Sequence, residues 1–74
     1  MKLKVNNLSE EEFIGFWGKY VAILFMDGET LTGFIDGFTW AADNEPEIAS
    51  LSFKTEDRTI EVYQNEISVI KEIK

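Results

Sequence analysis

The alternation of apolar and polar residues changes period once, near Lys19, dividing the chain into a helical opening and a run of strands. In Leu8-Ser9-Glu10-Glu11-Glu12-Phe13, Ser9 as N-cap and Glu12 at the third helical position make a capping box, and Leu8 and Phe13 stand where a hydrophobic staple needs them. The acidic first turn suits the positive end of the helix dipole. The pattern predicts a helix over about 9–17, with Phe13, Ile14, Phe16 and Trp17 on one broad apolar stripe and Gly18 as its stop. So short a helix is stable only when docked. The stripe is therefore expected to pack on a sheet.

Five β-rich segments follow. The first, about 19–26, runs into Asp27-Gly28, a two-residue hairpin signal, and the second spans about 29–41. Gly33 and Gly37 would weaken a flat strand but suit one that bends sharply, as in a small barrel. Asp43-Asn44-Glu45-Pro46-Glu47 reads as a loop, and further strands are expected over about 47–54, 59–64 and 67–73. A short N-terminal helix followed by five short strands predicts a mainly β fold, a closed or nearly closed five-stranded barrel in a single domain, 1–74.

The strand faces add a further expectation. Val21, Ile23 and Phe25 share one side of the first strand, and Tyr20, Ala22, Leu24 and Met26 share the other, so both sides are apolar. One side fills the barrel and the other needs a cover. The last strand also lacks a cleanly polar face, with Ile67, Val69 and Lys71 alternating with Ser68, Ile70 and Glu72. A terminal strand of this kind is an edge that pairs with another chain.

Composition narrows the chemistry. The 74 residues include no Cys and no His, and 14 acidic residues against 7 basic ones give a net charge of −7. No disulfide can form, the usual zinc ligands are missing, and neither an imidazole base nor a thiolate is present. A core of this size contributes only about 3–5 kcal/mol, which turns attention to self-association. These features predict a protein without enzymatic activity, metal or cofactor. No apolar run is long enough to span a bilayer and Met1-Lys2-Leu3-Lys4-Val5 lacks a signal-peptide core, so a cytoplasmic protein without membrane contact is expected. The acidic loop from Asp43 could offer oxygen ligands to Ca²⁺ or Mg²⁺. It lacks the glycine spacing of a calcium loop and reads as solvated.

The order of elements resembles the Sm/LSm family, and its bacterial Hfq branch most of all. Gly28-Glu29-Thr30-Leu31-Thr32-Gly33-Phe34-Ile35-Asp36-Gly37-Phe38 looks like the first Sm motif, and Val62-Tyr63-Gln64-Asn65-Glu66-Ile67-Ser68 is similar to the second motif of Hfq. The resemblance runs from about Leu8 to Ile73. It implies a strongly bent five-stranded SH3-like barrel of Sm type, assembled into a ring by pairing the fourth strand of one subunit with the fifth of the next. The interface would draw on Tyr20, Leu24, Met26, Val62, Ile67 and Val69. Six copies at −7 each would total −42, which opposes assembly unless acids face outward or Lys and Arg intersperse at the seams.

The same resemblance places Gln64 and Asn65 where Hfq carries the Lys and His of its uridine-binding pore, and Glu66 where it carries Ala. Amide side chains read base edges but do not offset phosphate charge. The expected function is therefore a homo-oligomeric binding or scaffold module that engages a protein partner with a basic surface. The alternative is a diverged RNA-binding ring, with Gln64 and Asn65 lining a pore and Trp40 or Tyr63 stacking on single-stranded bases.

Overall fold

The computed structural model describes residues 8–45 and 47–73. A short helix α1 (Glu10–Ile14) precedes strands β1 (Tyr20–Phe25), β2 (Thr30–Thr39), β3 (Ser50–Lys54), β4 (Thr59–Tyr63) and β5 (Ile67–Glu72). Two 3-10 turns are interposed, η1 (Ala41–Asp43) and η2 (Gln64–Glu66). The strands form one antiparallel sheet in the order β4-β3-β2-β1-β5. The fold is mainly β, a small bent sheet of barrel-like form with a helix against it.

The capping box is present in full: the Ser9 hydroxyl accepts from Glu12 N–H at 3.1 Å, and the Glu12 carboxylate accepts from Ser9 N–H at 3.0 Å. The helix nevertheless ends earlier than the stripe predicts. After Ile14 the backbone tightens into three-residue bonds, from Phe16 N–H to Phe13 O (3.2 Å) and from Trp17 N–H to Ile14 O (3.0 Å). Gly18, at φ +87°, then turns the chain into β1. Phe13 is fully buried, whereas Trp17 lies beyond the helix and is half exposed rather than packed on the sheet.

Strand bending has a local cause in β2. Ile35 pairs with Phe53 but Gly37 pairs with Ser52, so Asp36 is an extra residue, a bulge that turns the strand. At Gly33 the two strands come so close that a Cβ would sit 2.4 Å from the Lys54 carbonyl oxygen. The Asp27-Gly28 hairpin closes with three loop residues instead of two: Gly28 N–H donates to Phe25 O and Phe25 N–H to Glu29 O, with Gly28 at φ +95°.

Inside the curve lie Phe13, Val21, Ile23, Ile35, Ala49, Leu51, Phe53, Val62 and Ile67. Val21 and Ile23 come from the inward side of β1 that strand alternation predicts. The ladder itself stays open, because β4 and β5 are its two end strands. Turn η2 straddles the opening: Gln64 N–H donates to Ala49 O at 2.9 Å on the β3 side, and Glu66 O accepts from Met26 N–H at 2.9 Å on the β1 side.

Candidate interaction surfaces

The base-binding candidates gather at one end of the sheet. Thr39 on β2 pairs with Ser50 on β3, and Ser50 pairs with Tyr63 on β4. Trp40 follows the first of these residues and Gln64 the last, with β2 and β4 about 10 Å apart at ordinary strand spacing. Trp40 is half exposed and stands edge-on to Phe38, their ring centres 5.1 Å apart, while Phe38 meets Phe13 at 6.0 Å. The Trp40 indole is thus held by the aromatic column that docks α1.

Of the other candidates at this end, Gln64 and Tyr63 are engaged within the fold. The Gln64 side-chain amide donates to the Leu8 carbonyl at 2.8 Å, tying the entry of α1 to η2. Tyr63 is half-buried, and its N–H donates to the Glu66 carboxylate at 2.9 Å. Asn65 is exposed. Sequence reasoning missed two links here. Ala41 N–H donates to the Glu10 carboxylate at 2.7 Å, fixing η1 to the helix. Asn44 donates to Ile48 O (2.7 Å) and to the Ser50 hydroxyl (3.0 Å), and buried Ser50 donates in turn to Glu61 at 2.6 Å. The run of Asn and acidic residues between two strands was the only signal for the second, and it does not specify partners.

Electrostatically this end is acidic. Asp43, Glu45 and Glu47 line a shallow hollow with Ala42 and Asn44. Among the described residues no group of His, Cys, Asp or Glu is arranged to hold a metal ion. Of the described cations, Lys54 and Arg58 line a groove around the β3–β4 turn, Lys71 lies opposite Ala22, and Lys19 pairs with Glu72 at 3.5 Å.

The interface candidates divide into two groups. Tyr20, Leu24, Met26 and Val69 are exposed, and Leu24 lies directly opposite Val69 on the outward face of β1 and β5. Val62 and Ile67 correct the expectation: their side chains are 1% and 0% exposed and belong to the core of their own chain. The inward curl of the two end strands turns these positions toward Leu51 and Ile23, so only their backbone could take part in an interface.

Opposite the acidic end, a groove of about 860 Å³ runs between the β3–β4 turn and the outward face of β1 and β2. Tyr20 and Phe34 form its floor, with ring centres 4.9 Å apart. Among the described residues no helix is long and apolar enough to cross a membrane. Compared with family models, curated proteins and solved structures, the chain matches none.

Proposed function

We propose that this chain is a non-enzymatic, self-associating interaction module of Sm-like type, in which β4 of one copy pairs with β5 of the next. The observation that carries the reading is the open ladder: a five-stranded sheet ends in β4 on one side and β5 on the other. Exposed Leu24 and Val69 form an apolar strip beside the β5 edge. An edge strand next to apolar surface is a template for pairing with another chain. The acid-rich end around Asp43, Glu45 and Glu47 then faces outward, where it would meet a protein partner with a basic surface. The expected setting is the cytoplasm.

Replacing Val69 by Lys tests the pairing. The side chain is exposed, so the fold should survive, while a desolvated charge at the seam should shift the protein to smaller species by size-exclusion chromatography. An unchanged elution volume would remove the β5 edge from the proposal.

The half-exposed Trp40 favours a second reading, the stacking of single-stranded RNA bases. Against it stand the carboxylates around this end and the engagement of the Gln64 amide with Leu8. Titration of short oligo-uridine and oligo-adenosine at low salt, read by tryptophan fluorescence, decides between the two. A saturable signal lost on Trp40→Ala would favour RNA.

A further inference from the structure

We propose that the groove floored by Tyr20 and Phe34 docks an extended, carboxylate-bearing segment of a partner protein. Tyr20 is 60% exposed yet lies against Phe34, so an aromatic surface is held open to solvent. The groove is of the size that takes a short peptide or a small ligand.

Charge selects the occupant. Four cations fall among the described residues, and only Lys19 has a carboxylate at ion-pairing distance, Glu72. The other three lie around this face. Lys54 stands opposite Phe34 and so projects to the same side, Arg58 closes the groove at the β3–β4 turn, and Lys71 stands opposite Ala22, which shares the face of Tyr20. Lys54, Arg58 and Lys71 are thus left without an ion pair around this face, and Glu56 and Asp57 are the carboxylates that line the groove with the first two. No Asp or Glu occupies an outward position of β1, of β2 before its bulge, or of β5 from Val69 to Lys71.

Glu56 and Asp57 both lie in the β3–β4 turn at one end of the groove, where Asp57 accepts from the Thr55 hydroxyl at 3.2 Å. They weigh against a nucleic acid, whose phosphates recur at every nucleotide and would meet both Glu56 and the overall charge of −7. A polypeptide can space its carboxylates to meet Lys54, Arg58 and Lys71, and set an apolar side chain on Tyr20 and Phe34 between them. The proposal does not depend on pairing between β4 and β5.

Fluorescence anisotropy on the full chain tests it, using a short labelled peptide that alternates Glu with Phe and Leu, its Lys-for-Glu counterpart, and oligo-uridine of similar length. The acidic peptide should bind saturably, and Lys54→Glu combined with Arg58→Glu should weaken it by about tenfold or more. Tyr20→Ala should weaken it as well, and added salt should do so progressively. Both cations are exposed, so far-UV circular dichroism and oligomer mass should be unchanged in the charge-reversed protein. Equal or tighter binding of the Lys peptide, tighter binding of oligo-uridine, indifference to charge reversal, or no saturable binding up to about 1 mM would each overturn the proposal.

Discussion

The side-chain amide of Gln64 donates to the backbone carbonyl of Leu8 across 56 residues of chain, at 2.8 Å, so the turn between the last two strands holds the entry of the helix. That bond gives a local reason for Gln64 where the family resemblance places a cationic pore residue. Gln64→Ala should cost about 1 kcal/mol and lower the melting temperature by about 4–8 °C in a domain of this size. Thermal denaturation followed by circular dichroism checks it. A variant that melts with the parent would show that this bond does not stabilise the fold.

The approach of β2 to β3 makes Gly33 and Gly37 unequal. At Gly33 a Cβ would meet backbone, the Lys54 carbonyl oxygen at 2.4 Å, whereas at Gly37 it would meet the Ser52 Cβ at 3.2 Å. Gly33→Ala should therefore destabilise by about 1–3 kcal/mol, and Gly37→Ala by clearly less. Urea titration of both variants measures the difference. Equal costs would mean that the bend lies elsewhere than at the contact with Lys54.

Phe13 is the side chain through which the helix enters the core, fully buried and edge-on to Phe38. Its replacement by Ala should cost about 3–5 kcal/mol, close to everything a core of this size supplies. Loss of the cooperative unfolding transition is the expected outcome, and Phe13→Leu should retain a transition at lower temperature. A cooperative Phe13→Ala protein would show that the helix is an accessory to the sheet.

The relay from Asn44 through Ser50 to Glu61 joins the β2–β3 connection to β4. Ser50→Ala removes its central hydroxyl and should cost about 1–3 kcal/mol, since partly buried partners lose a hydrogen bond. Glu61→Gln should cost less, because its amide oxygen still accepts from Ser50. Comparing the two by chemical denaturation tests whether the serine is the centre of the relay.

Much of this architecture was legible in the sequence because it is written in local patterns. Ser9 and Glu12 announce the helix start, the inward side of β1 follows from alternation, and Gly33 and Gly37 announce curvature. What could not be read depends on how the sheet curls. Alternation gave Val62 and Ile67 no inside or outside until β4 and β5 turned inward, and they prove to be core. Tyr20 was expected at an outward face, but its contact with Phe34 follows from the β1–β2 register, and the neighbouring Lys54 from the β2–β3 register. The bonds from Gln64 to Leu8 and from Ala41 to Glu10 span 56 and 31 residues and leave no periodic trace.

In the proposed assembly the open edges of β4 and β5 are completed by other copies of the same chain. Sedimentation equilibrium of the full chain at about 50 µM and physiological salt tests it most directly, since exposed charges are then screened beyond about 8 Å. Pairing of β4 with β5 between copies should give a mass of at least twice 8.5 kDa that falls toward 8.5 kDa in Val69→Lys. A single species of 8.5 kDa for the unaltered chain under those conditions would contradict it.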